Sequence, residues 1–204
     1  MQNIDLRPLF DSGEYDFGFI DGLIKTYRKT YYRIPEFWSL VEKCFKHVVK
    51  FKTERIALGM DIDNGLKITQ GVGTLLYSRL TFWNNGGTVN LQLPSGRVLY
   101  YRHSRIDNEN SIRWQWGNLW GGSITENIVQ AVARDLLGYW ILEFEKRGLP
   151  VVLHTHDEIV ALITDNPCNY IGHAMANILM SRGPEWSKGL PLAAEGVIAS
   201  VYRK

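Results

Sequence analysis

Leu149-Pro-Val-Val-Leu-His-Thr-His-Asp-Glu-Ile-Val-Ala-Leu-Ile163 is the stretch whose reading decides the fold. Two apolar runs rich in β-branched residues flank the polar residues His154 to Glu158, a pattern of strand, tight turn, strand. The acids Asp157 and Glu158 fall at the tip. Adjacent carboxylates on a hairpin rim suit a hard divalent cation, because Mg²⁺ takes oxygen ligands and shares its shell with water. Such a group belongs to phosphoryl-transfer chemistry, and two acids alone leave it incomplete.

Just before the hairpin, Ile128, Val132, Leu136, Trp140 and Phe144 form one apolar stripe, bordered by Val129, Leu137 and Ile141. This predicts the longest helix of the chain, opened by the capping-box pattern Ser123-Ile-Thr-Glu126 with Ser123 as the cap and closed by Gly148 and Pro150. A stripe that wide calls for a sheet, and the hairpin is expected to provide it. Downstream, residues 169–181 read as an amphipathic helix and residues 190–202 as a closing strand.

Upstream, Phe19, Leu23, Tyr27 and Tyr31, then Phe37, Leu40, Val41 and Phe45, recur at helical spacing, predicting two helices divided near Pro35. Their other face carries Lys25, Arg28, Lys29, Arg33, Lys43, Lys46 and Lys50. It is either a solvated surface or a face for a polynucleotide backbone, with Tyr27, Tyr31 and Tyr32 free to stack on bases. Between 51 and 105 the helical period fades. Asn85-Gly-Gly87 and Pro94-Ser-Gly96 mark turns, and Arg97-Val-Leu-Tyr-Tyr101 reads as a strand, so a small antiparallel patch is expected. Asp61-Ile-Asp-Asn-Gly65 lacks the later ligands of a calcium loop and reads as a turn.

The bulk properties fit this α+β plan. A chain of 204 residues, 45% hydrophobic and 22% charged, builds one globular domain with a real core. Its net charge of +2 does not by itself imply a nucleic-acid partner. Cys44 and Cys168 lack zinc-site spacing and read as thiols of a reducing compartment. No apolar leader or membrane span is visible, so a cytoplasmic protein without a membrane partner is expected.

Taken together, His156-Asp157-Glu158 between its strands and the preceding Glu126-Asn-Ile-Val-Gln-Ala-Val-Ala-Arg-Asp135 resemble the C-terminal palm of family A DNA polymerases, particularly phage-type enzymes. Further segments agree in order. Leu93-Pro-Ser-Gly-Arg97 with Leu99-Tyr-Tyr101 resembles the turn and strand before that helix, and Pro184-Glu-Trp186 with Gly189-Leu-Pro-Leu-Ala-Ala-Glu-Gly196 resembles the phage-type tail. Thr26-Tyr-Arg28 to Phe37-Trp38 is similar to the end of the fingers. The resemblance implies a helical fingers-end segment over 1–55 and a partial palm over 56–204, with an antiparallel sheet and a catalytic hairpin packed on a long helix.

It also implies templated nucleotidyl transfer from deoxynucleoside triphosphates onto a DNA primer-template. In that chemistry two Mg²⁺ ions about 3.5–4 Å apart clamp the attacking and leaving oxygens. Asp157 is then the metal ligand, Glu158 its acidic neighbour and His156 a residue approaching the primer, with a structural turn histidine as the other reading of His156. Arg113 and Asn118 become DNA-contacting residues, although Asn118 is displaced by one from the family's asparagine and Gly121 stands where the family has glutamine; Lys25, Arg28 and Lys29 of the basic helix face are expected to contact DNA through its phosphates.

Two family motifs are missing: the Asp-x-Ser-x-Ile-Glu strand with the other catalytic aspartate, and the Arg-x-x-x-Lys nucleotide-binding helix. Asp61 and Asp63 follow the fingers-like helices and cannot replace the first motif. One aspartate cannot hold two close divalent ions, so this polypeptide is expected to be inactive alone. The leading expectation is a split polymerase completed by an N-terminal chain that carries the second aspartate. The alternative is a non-catalytic relic that binds primer-template or another replication protein. A third reading, a metallohydrolase site at His154-Thr-His156-Asp157, lacks the residue spacing and the following histidine that such sites need.

Overall fold

The computed structural model describes residues 7, 11–13, 16–52, 55–58, 80–164 and 169–202. Asp61–Gly65 and Cys168 lie outside the described residues. Helix α1 (Phe17–Thr30) is capped by the Asp16 carboxylate, which accepts from the Phe19 amide at 2.7 Å. The chain breaks at Tyr31–Tyr32 and re-enters α2 (Arg33–Lys50), whose first turn holds Pro35. An absent N–H costs nothing there, which is why the proline opens this helix instead of kinking it.

A four-stranded antiparallel sheet follows, in order β1 (Arg55–Ala57), β2 (Thr81–Asn85), β3 (Thr88–Gln92) and β4 (Val98–Tyr101). Gly86 and Gly87, at φ 56° and 83°, close the β2–β3 hairpin in a two-residue turn that demands left-handed backbone. Three short strands, β5 (Arg105–Ile106), β6 (Ile112–Trp114) and β7 (Gly117–Leu119), form a second sheet leading into α3 (Gly121–Lys146).

The core lies between these layers. Val41, Cys44, Phe45 and Val48 of α2 meet Phe82, Val89, Leu91 and Tyr101 of the four-stranded sheet, and Ile124, Ile128 and Ala131 of α3 complete the cluster. Each such apolar side chain contributes about 1.5–3 kcal/mol on burial. The stripe of α3 therefore has two neighbours. Its first half packs on α2 and this core; its second half buries Leu136, Leu137 and Phe144 and touches the hairpin of β8 (Val151–Thr155) and β9 (Glu158–Ala161). The hairpin is thus only part of what α3 covers, and Val129, expected to border the stripe, is exposed.

The start of α3 also differs from the sequence reading. Trp120 is the cap, and Ser123 is the third helical residue, its hydroxyl accepting from the Trp120 amide at 3.0 Å. A tertiary contact moves the start. Gly121 donates its backbone N–H to the Glu42 carboxylate at 2.9 Å, and a Cβ there would collide with the Trp38 carbonyl. Helix α4 (Asn169–Met180) packs on α3, but residues 190–202 form no strand. Pro191 and Gly196 interrupt that segment, and it meets no strand partner among the described residues. No helix of the described residues is long and apolar enough to cross a membrane.

Candidate catalytic hairpin and nucleic-acid interface

Strands β8 and β9 pair antiparallel, Leu153 with Val160, His154 with Ile159 and Thr155 with Glu158, leaving His156-Asp157 as a two-residue turn. Residues at alternate strand positions share a face, so Leu153, Thr155, Glu158 and Val160 lie on one side and His154 and Ile159 on the other. His156 takes φ 47°. Left-handed backbone costs an L-residue about 1–2 kcal/mol, so the tip holds a conformation that glycine would adopt more readily. It also takes His156 out of the strand alternation that would align it with His154. Among the described residues no three His, Cys, Asp or Glu side chains gather as a metal cluster, which removes the geometric basis of the metallohydrolase reading.

Asp157 and His156 are exposed at the tip, whereas Glu158 is half-buried. The Tyr202 hydroxyl donates to Glu158 Oε2 at 3.1 Å. Partial desolvation and this carboxylate together hold the Tyr202 phenol above its ordinary range. The hairpin is a two-stranded sheet in which Val152 and Leu153 are exposed, so its outer edges and one apolar patch have no cover among the described residues.

The expected DNA-contacting residues fall into separate groups. Arg113 on β6 stands opposite Asn118 on β7 and hydrogen-bonds its side-chain oxygen, while Arg113 Nε pairs with Asp107 Oδ2 at 2.6 Å. The guanidinium and the Ser111 amide hold the Asp107 carboxyl below its usual range. This pair sits just before the start of α3, and the sheet that carries it makes no extensive packing with the hairpin. Lys25 pairs with Asp21 at 2.5 Å on the open surface of α1, and Arg28 and Lys29 are exposed on a helix with no buried residue. Lys25, Arg28 and Lys29 are therefore not gathered with the hairpin.

Sequence reasoning gave no role to a third group. Arg97 Nε meets Asp135 Oδ1 at 2.5 Å, an Arg97 terminal nitrogen donates to the Ala131 carbonyl at 2.7 Å, and the Ser95 hydroxyl donates to the other Asp135 oxygen. The Pro94-Ser-Gly96 turn is thereby bolted to the middle of α3. The signal was present as two quoted motifs, but nothing local says that they touch.

The chain is 29% identical over 214 residues to the DNA polymerase of Bacillus phage SP02, an alignment covering 96% of this chain and 30% of that protein. It therefore spans less than a third of the length of the curated relative it matches. No protein-family model matches the chain, and no solved structure matches it. The likeness supports a relationship to DNA polymerases.

Proposed function

We propose that this chain is the C-terminal palm portion of a family A-type DNA polymerase and acts in templated nucleotidyl transfer once joined by polypeptide carrying the second aspartate. The observation that carries the proposal is the β8–β9 hairpin, which presents Asp157 in the open at a tip held in left-handed backbone by His156. An exposed carboxylate with room for water fits the donor set of Mg²⁺, which is commonly held by one or two carboxylates plus substrate phosphates. Asp157 is the ligand, and Glu158, turned toward Tyr202, is the lesser partner. When bound, the ions neutralise charge on the transferring phosphoryl group. His156 approaches the primer strand, and Arg113 and Asn118 contact the duplex near the start of α3.

Two features favour completion by further polypeptide, in our reading an N-terminal partner chain. The hairpin edges have no strand partner among the described residues, and α1 exposes Phe19, Leu23, Ile24 and Tyr27 without burying any residue. Both are surfaces that a larger polymerase covers. A cytoplasmic setting follows from the same role.

The test is templated nucleotide incorporation with Mg²⁺ by the chain alone and by the chain mixed with a polymerase polypeptide that carries the second aspartate. Incorporation is expected only in the mixture and is expected to vanish with Asp157→Ala. Retained incorporation in that variant would sink the assignment. If neither sample incorporates nucleotide while salt-sensitive primer-template binding persists, the non-catalytic reading takes its place.

A further inference from the structure

A groove of about 370 Å³ runs between β4, the β6–β7 hairpin and α3, and its described lining includes no residue of the β8–β9 hairpin. Its floor is apolar, made by Leu99, Tyr101 and Ala131. One wall is aromatic. The Trp116 ring lies 4.7 Å from Trp114, which in turn lies 5.4 Å from Tyr101. Trp116 is 75% exposed although it is anchored, because the β6–β7 loop is only Gln115-Trp116, Gly117 closes it at φ 115°, and the Gln115 amide donates to the Arg102 carbonyl at 3.0 Å. A large indole held in water on a rigid hairpin forfeits hydrophobic stabilisation that burial would give. The opposite wall belongs to α3 and is polar: Asn127, Gln130 and Arg134. Asn127 donates to the Tyr101 hydroxyl at 3.3 Å, which fixes its amide at the groove's edge.

The charge of the lining is one-sided. Among the described residues it includes Arg97 and Arg134 and no acid. Arg97 is already neutralised by Asp135, whereas Arg134 has no acidic partner among the described residues. A flat aromatic platform, amides across from it and an uncommitted guanidinium at the rim form the donor set for a nucleobase and its phosphate.

We propose that this groove binds an unpaired stretch of DNA, with one base stacked on Trp116, its edge facing Gln130 and Asn127, and a neighbouring phosphate at Arg134. The proposal rests on the polymerase reading for the nature of the nucleic acid and for the duplex at Arg113. Arg113, next to Trp114 on β6, points to the opposite side of that strand by alternation, so one short sheet serves duplex on one face and single strand on the other. The groove then receives the template strand where it is no longer paired.

The experiment measures binding of the full chain to a labelled oligothymidylate of about 12 nucleotides and to a blunt duplex of the same length, by fluorescence anisotropy. Trp116→Ala and Arg134→Ala are each expected to weaken single-strand binding at least about fivefold, the low end for losing one stacked base, and to leave duplex binding unchanged. Trp116→Phe is expected to retain most of the affinity, because it keeps a stacking face. Single-strand affinity that is unaltered in Arg134→Ala and in a folded Trp116→Ala overturns the proposal. If those variants instead lose association with the complementing polymerase polypeptide, the groove is a protein-docking site and the proposal is again overturned. Duplex binding that survives in the native chain without any single-strand binding defeats the groove alone; absence of both defeats the DNA reading as well.

Discussion

The Tyr202 hydroxyl donates to Glu158 Oε2 at 3.1 Å, so the last described turn of the chain is tied to the second acid of the hairpin. Partial desolvation and that carboxylate raise the phenol above its ordinary value of 10.0. A raised folded-state value means that the native chain holds the proton more tightly than the unfolded one. The contribution is complete below pH 10 and is lost as pH climbs through the raised value. Amide protection across residues 196–202, taken relative to the base-catalysed intrinsic rate, is therefore expected to fall above pH 10 in the native chain. Tyr202→Phe, which loses the bond outright, is expected to have low protection already at neutral pH and no further drop in protection on the alkaline side.

Two glycines of α3 give opposite outcomes for the same substitution. A Cβ at Gly121 collides with the Trp38 backbone, while one at Gly138 meets nothing within 4 Å. Gly121→Ala is expected to cost about 2 kcal/mol or more through overpacking. Gly138→Ala is expected to stabilise by about 0.5–1 kcal/mol through helix propensity. Urea unfolding of the two variants checks both signs, and equal effects would contradict the helix crossing at Gly121.

Asp135 is tied to both Arg97 and Ser95, and its side chain is 12% exposed. Asp135→Ala leaves a guanidinium and a hydroxyl without their partner at the junction of turn and helix, a loss expected to cost about 1.5–3 kcal/mol. Thermal unfolding measures it. A change within about 0.5 kcal/mol would class the contact with ordinary surface pairs.

Burial pushes the Cys44 thiol up to about 12, and no part of the residue is exposed. Only the thiolate reacts, so Cys44 is expected to resist alkylation in the folded chain and to react at the rate at which the core opens. Mass mapping of Cys44 against urea concentration tests this; rapid labelling without denaturant would contradict its place on the buried face of α2.

Much of this was legible because it is local. The Asn85-Gly-Gly87 turn, the apolar stripe of α3 and the β-branched runs that flank the polar turn at His156-Asp157 each fix geometry within a few residues. What could not be read depends on distant partners. The start of α3 is set by Glu42 and Trp38 across the fold, not by the Ser123 pattern. Residues 190–202 read as a closing strand, yet apolar content makes no strand without an edge to join. Ser95 lies 40 residues from Asp135, and no period links them. Arg113 and Asn118 were singled out for DNA, but that they hold each other follows only from the register of β6 with β7. The acid hairpin itself was legible as a pair of acids on a turn, while the exposed Trp116, on the loop of the separate β5–β7 sheet, carried no signal in spacing.

Direct ligation of metal by Asp157 is tested most sharply by replacing its oxygen donor with sulfur. In the complemented assay, Asp157→Cys is expected to lose Mg²⁺-supported incorporation and to regain part of it with Mn²⁺ or Cd²⁺, because a thiolate favours softer ions. Full incorporation by Asp157→Cys with Mg²⁺ would show that Asp157 does not hold the metal.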